Sequence, residues 1–270
     1  MPSRIPRRLA ASRRSFLAGA GAAIAGGSAL GPVLHRGELP GSPPSIVGHR
    51  GAGGLAPPNT MAAIEAGLEA GVDGIELDVW RTLDGELLLF HDAVLNWESS
   101  AEGLIESTAW GEIEGETIGG EPLIRLPRAL ERLAAADVDV YVELKAPGFE
   151  EEVIETVESY GLRDRLTIIS FDRAALEPVR ETDVPIGLVG TVPSGGLVEA
   201  AVDLGAASVF SHYTPHAIGS YIDEAAEAGL TTGIWKLVET SGTLHDSLEA
   251  GPDVFVTNYP DQAIELLGSQ

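Results

Sequence analysis

The run "SIVGHRG" ends in His49-Arg50-Gly51, an imidazole and a guanidinium at the tip of an apolar strand. Two further strands carry paired charges. Glu76 and Asp78 lie two apart in "GIELDV", and Glu143 and Lys145 lie two apart in "VYVELK". Residues i and i+2 share one face of a strand, so each pair aims together. Turned toward a layer of helices, such charges would be buried at high cost, so the mouth of the fold is the expected direction. Three carboxylates gathered at one point call for a cation. An all-oxygen set suits one hard divalent ion, Ca²⁺ or Mg²⁺, with Mn²⁺ as a further candidate. A second imidazole stands at His91-Asp92. A metal, two proton carriers (His49 and His91) and two cationic clamps (Arg50 and Lys145) are the parts of a phosphoryl site. Each has a plainer reading: an ion pair for Glu143 and Lys145, a turn cap for Asp92, a satisfied core histidine for His49. Their shared place at strand ends favours the chemical reading.

The elements that must hold these residues follow one pattern. A Glu- and Ala-rich amphipathic segment ends in Gly, and an apolar strand begins a few residues later, at Gly71, Gly161, Gly205, Gly229 and Gly251. Gly accepts the left-handed conformation that stops a helix, and a strand following at once is the α/β rhythm. Helices are expected near 60–70, 127–136, 149–160, 173–181, 196–204, 218–228, 243–250 and 261–267. Nine apolar runs compete for the strands, one more than an eight-stranded barrel takes. Only "RTLDGE" separates "GIELDVW" from "LLLFHD", too short for a parallel crossover but suited to a hairpin at Asp84-Gly85. "LLLFHD" is therefore expected as a local antiparallel arm, and the other eight runs as a (β/α)8 TIM barrel. The Gly- and Glu-rich segment 94–122 reads as an insertion over one rim. A doubly wound sheet is the alternative, but no Gly-x-Gly-x-x-Gly turn follows a strand where it would be needed.

Composition narrows the function classes. The first 40 residues hold six of the 17 basic and one of the 41 acidic residues, so the remainder carries a net charge of −29. Such a body repels nucleic acid and anionic membranes, and neither is an expected partner. Acidic composition with only two lysines, Lys145 and Lys236, reads as adaptation to high salt, where charge repulsion is screened. With no Cys there is no disulfide and no thiolate metal site. The segment "SRRSFLAGAGAAIAGGSALG" has a charged start and a mildly apolar stretch of small residues. Ser12-Arg13-Arg14-Ser15-Phe16-Leu17 resembles the twin-arginine export signal, which makes that translocon a partner and the protein extracellular or anchored at the cell surface. Residues 1–40 are read as leader, and 41–270 as a single barrel domain.

In order along the chain, these residues resemble the glycerophosphodiester phosphodiesterases. "HRGAGGLAPPNTMAAIEAGLEAGVDGIELDVWRTLDGELLLFHD" is similar to the family's signature from His-Arg-Gly through Glu-x-Asp to His-Asp. "VELK", "ISFD", the Trp of "GIWKL" and "VTNYPD" resemble its later strand ends. The resemblance implies a TIM barrel with one divalent cation held by Glu76, Asp78 and Glu143. It implies acid–base roles for His49 and His91, phosphate binding by Arg50 and Lys145, and a substrate pocket that includes Phe171 and Trp235. The substrate would be a small phosphodiester such as glycerophosphocholine, cleaved to sn-glycerol 3-phosphate and an alcohol; no stable protein partner is implied. The chain departs from the family at Pro58, where Pro-Glu-Asn-Thr is usual, at Leu95-Asn96-Trp97-Glu98-Ser99 and after Trp235. Two alternatives follow: a lysophospholipase D-like or phospholipase-like enzyme acting on lipid, with Trp97 or Trp110 on an apolar rim, and a barrel that binds phosphoesters without turnover.

Overall fold

Eight of the nine apolar runs close on themselves. The computed structural model describes residues 43–191, 196–235 and 239–268. The segment expected as a leader and Lys236 lie outside the described residues. The barrel strands are β1 (Ser45–Gly48), β2 (Gly74–Arg81), β6 (Asp139–Leu144), β7 (Leu166–Ser170), β8 (Ile186–Thr191), β9 (Ser208–His212), β10 (Thr231–Trp235) and β11 (Val254–Thr257). Neighbours are parallel all the way round, and β1 pairs with both β11 and β2, which closes the ring. The expected (β/α)8 barrel is the observed one. The arm is also as expected. β3 (Leu87–Leu89) pairs antiparallel to β2, with Val79 opposite Leu89 and Arg81 opposite Leu87. Its turn is closed by Gly85 at φ 88° and by the Thr82 N–H donating to the Glu86 carbonyl (2.9 Å).

The crossover helices are α1 (Met61–Ala70), α3 (Leu126–Leu133), α4 (Glu150–Ser159), α5 (Arg173–Leu176), α6 (Leu197–Leu204), α7 (Ile218–Glu227) and α8 (Ser241–Glu249), and α9 (Pro260–Gly268) follows the last strand. Thr60 caps α1 by accepting from the Ala63 N–H, and Gly71 ends it at φ 87°. The helix expected at 173–181 breaks in two, α5 and a 3₁₀ turn at Val179–Glu181, because Pro178 lacks the N–H the ladder needs. The segment 94–122 is short turns, the small helix α2 (Trp110–Ile113) and a hairpin of β4 (Thr117–Ile118) and β5 (Glu121–Pro122). It encloses a core of its own, in which Leu95, Ile105, Ile113 and Ile118 meet Leu88 and Phe90 of the arm. Its pieces are too short to show a period in sequence.

Strand alternation divides the remaining apolar side chains. Ile46, Ile75, Leu77, Val79, Val140 and Val142 face the helices and join the main core. Val47, Tyr141, Ile169, Val189, Phe210, Val254 and Val256 form a second cluster inside the barrel. Phe210 fills this interior between glycines of the neighbouring strands. A Cβ on Gly233, its register partner, would stand 2.0 Å from the ring, and one on Gly187 2.8 Å. Gly233→Ala is therefore expected to cost ~1–3 kcal/mol through overpacking. A melting curve matching that of the wild type would show that the interior can give way.

Candidate functional site at the barrel mouth

The alternation that sends Val47 inward also sends His49, two residues on, to the C-terminal mouth. Glu76 and Asp78 take the same direction on β2. Register places Asp78 directly beside Glu143 of β6. All three carboxylates are buried, and ligand oxygens from each lie within 4.8 Å of one another. The mouth, and not the helix layer, is where the charges go.

Around this cluster the cations stand where the sequence suggested. Lys145 Nζ donates to Glu143 Oε1 (2.6 Å) and to Asp78 Oδ1 (3.3 Å). Arg50 Nε is 3.2 Å from Asp78 Oδ2, although its N–H is not aligned for a hydrogen bond. The Arg50 backbone is left-handed, at φ 52°, and so turns its own N–H onto Glu76 Oε2 (2.8 Å). His49 Nε2 is 3.9 Å from that same oxygen, and His49 Nδ1 is 3.0 Å from Asn258 Oδ1. His91 Nδ1 is 3.0 Å from Asp92 Oδ1, so Nε2 is the nitrogen left for chemistry.

Asn59 is not among the expected site residues, yet it stands at the site. It is buried with φ 58°, its Nδ2 donates to Asp78 Oδ2 (2.9 Å), and its Oδ1 accepts from the Asp78 N–H (3.2 Å). Glu239 and Asn258 were not singled out as site residues either. The signal was the one that flagged His49: Asn258 is a polar residue just past a strand end, in "VTNYPD". Glu98 of the insertion comes within 3.9 Å of Arg50.

Electrostatics separate the carboxylates. Burial, then the charges of Asp78 and Glu143, pushes Glu76 well above the usual range. Burial and Asp78 raise Glu143 to about 7. Burial also disfavours the Asp78 anion, but Lys145 and Arg50 outweigh it and hold Asp78 below its ordinary value. Burial, reinforced by Arg50, lowers His49 to about 4, and burial also lowers His91. Glu76 Oε1 is buried with no hydrogen-bond partner. An unpartnered buried oxygen among three carboxylates that repel one another fits a hard divalent cation, with Glu76, Asp78 and Glu143 as the oxygens that would hold it.

His49, Arg50, Glu76, His91 and Glu143 line one side of an open cavity of about 510 Å³, the solvent at its open side included. The other side is apolar and includes Phe171 and Trp235, the two residues expected in a pocket. Their rings meet edge to face at 5.6 Å. Carboxylates able to hold a cation, with two imidazoles over a parallel barrel's mouth, mark the class as a barrel hydrolase of phosphate esters.

The family model of the glycerophosphoryl diester phosphodiesterase family matches residues 49–262, and the chain belongs to that family. A glycerophosphodiester phosphodiesterase of Caldanaerobacter subterraneus subsp. tengcongensis is 29% identical over 238 residues, covering 82% of this chain and 97% of the relative. A solved protein of Silicibacter pomeroyi, described as a "putative glycerophosphoryl diester phosphodiesterase", superposes with TM-score 0.76 at 24% identity, over 84% of this chain and 94% of that one. An Oleispira antarctica phosphodiesterase, solved with its product sn-glycerol-3-phosphate, has TM-score 0.73 at 22% identity, over 84% and 97%.

Proposed function

We propose that the protein hydrolyses glycerophosphodiesters to sn-glycerol 3-phosphate and an alcohol, with a divalent cation, Ca²⁺ or Mg²⁺, and a pair of histidines. The observation that carries this is the common wall formed by His49, His91, Arg50, Glu76 and Glu143 around one cavity. A cation held by Glu76, Asp78 and Glu143 would polarise the phosphoryl group and help generate the nucleophile. Arg50 and Lys145 neutralise the phosphate oxygens and hold the diester against the imidazoles. One imidazole takes the proton of the attacking O–H as the new P–O bond forms. The other gives a proton to the alcohol oxygen as the old P–O bond breaks. Exchange with solvent returns both rings to their starting states. Ile169, Phe171, Val189 and Trp235 exclude water from the opposite side.

The test is turnover of glycerophosphocholine in concentrated salt with Ca²⁺ or Mg²⁺, read as release of sn-glycerol 3-phosphate, with Glu76→Ala as the blank. Release that depends on Glu76 is expected; no release from folded protein that still binds the cation would sink the reading. A second reading keeps the chemistry and changes the alcohol to a lipid. Trp97, 70% exposed on the insertion, and the apolar cavity wall favour it. Trp110 does not contribute, since it lies half-buried under Arg125, whose guanidinium is 5.2 Å from the ring centroid. Faster release of choline from lysophosphatidylcholine than from glycerophosphocholine would select this reading.

A further inference from the structure

Closure of the barrel sets Gly48 opposite Thr257, and one residue further on His49 meets Asn258. The two chain segments are bound together there. The His49 N–H donates to the Thr257 carbonyl (2.9 Å), and the Gly54 N–H donates to the Asn258 carbonyl (3.0 Å). An asparagine amide in this place offers His49 either an oxygen or an NH₂, and the two choices impose opposite tautomers on the ring. What decides between them is the partner on the amide's far side. That partner is Glu239, half-buried ahead of α8. Its Oε1 accepts from the Asn258 N–H (2.7 Å) and from Asn258 Nδ2 (2.8 Å), and its Oε2 accepts from the Thr257 hydroxyl.

A carboxylate taking bonds from three donors can face only the NH₂ end of the amide. Asn258 Oδ1 is thereby turned to His49, and His49 Nδ1 must carry the proton that it accepts. The other nitrogen, Nε2, is left as a lone pair beside Glu76 at the cavity. We propose that Glu239 is a positioning residue that acts through Asn258 to fix the neutral tautomer of His49 with Nε2 bare and available to accept a proton. The effect on turnover rests on the phosphodiesterase reading given above; the tautomer does not. In that reading His49 is the imidazole that takes the proton of the attacking O–H. The Nε2–H⁺ so formed lies 3.9 Å from Glu76 Oε2. With Nε2 protonated at the outset the ring would have no lone pair at the site, and the step could not begin.

The test uses long-range proton–nitrogen NMR correlations of the full chain, with His49 assigned by His49→Asn, alongside kcat and KM. The wild type is expected to show Nδ1–H with bare Nε2; the opposite tautomer would overturn the proposal whatever the variants do. Glu239→Ala frees the amide to rotate. It should mix the tautomers and lower kcat by ~10–100-fold, the usual scale for groups that orient a site from behind, with KM nearly unchanged. Glu239→Gln keeps an acceptor oxygen for Asn258 Nδ2 and should retain the wild-type tautomer. The double variant Glu239→Ala/Asn258→Asp places an acceptor-only carboxylate against Nδ1, and should restore both the tautomer and most of kcat. A role of Glu239 limited to tying α8 to β11 predicts no rescue by a change at position 258, so a double variant as slow as Glu239→Ala would refute the assignment. A wild type with the expected tautomer but no turnover of glycerophosphodiesters would remove the proposed function and leave this assignment standing.

Discussion

His91→Ala is expected to lower kcat on glycerophosphocholine by ~10²–10⁴, the range in which a positioned proton carrier contributes. The melting temperature should stay near that of the wild type. The two expectations have separate grounds. The ring is partly exposed at the cavity and spends its Nδ1 on Asp92, so its removal opens little space in the core. The backbone at His91 is held from elsewhere, because Trp80 Nε1 donates to its carbonyl (3.1 Å) and the Phe90 N–H donates to the Asp78 carbonyl (3.2 Å). Removal of the side chain thus takes away a proton donor or acceptor and not a structural tie. If kcat is unchanged, His91 has no part in proton transfer. If kcat and stability fall together, the residue is an element of the fold.

Chelation is expected to abolish turnover, and Ca²⁺ or Mg²⁺ to restore it. The argument is electrostatic. Without a cation, Glu76 and Glu143 stay ionised only against burial and against the charge of Asp78, which is why both sit above the usual carboxylate range. Lys145 and Arg50 offset this chiefly for Asp78. A bound cation requires the ionised forms, so its affinity should fall as pH drops below about 7, where Glu143 takes up its proton. Binding to the folded state alone also raises stability, by about 2.7 kcal/mol at a hundredfold excess over Kd. Thermal melts with and without Ca²⁺ or Mg²⁺ at pH 5 and pH 8 read the same site without a substrate, and the larger shift is expected at the higher pH. Full activity in chelator, with no cation-dependent shift at either pH, would contradict the carboxylate site.

The sequence by itself determined what depends on neighbours along the chain. The i, i+2 pairing of Glu76 with Asp78 and of Glu143 with Lys145 follows from the period of a strand. The short link at Asp84-Gly85 forces a hairpin, since no parallel crossover fits in so few residues. The helix stops at Gly71 and Gly205, both left-handed, need only a residue without Cβ. These local facts were enough for the barrel, the arm and the residues aimed at its mouth. They were not enough for the fold of 94–122, whose core is made by contacts with Leu88 and Phe90 of the arm. Only the tertiary structure decided which groups meet. Asp78 faces Glu143 because of the register between β2 and β6, and His49 faces Asn258, 209 residues away, because β1 closes on β11. Asn59 reaches Asp78 through a left-handed backbone that its neighbours in sequence do not require. Glu239 reads as an ordinary acidic residue in a chain rich in them until closure brings Asn258 beneath it. Register and closure are fixed by the packing of the whole barrel, and that sum of distant contacts leaves no period or spacing in the chain to be read.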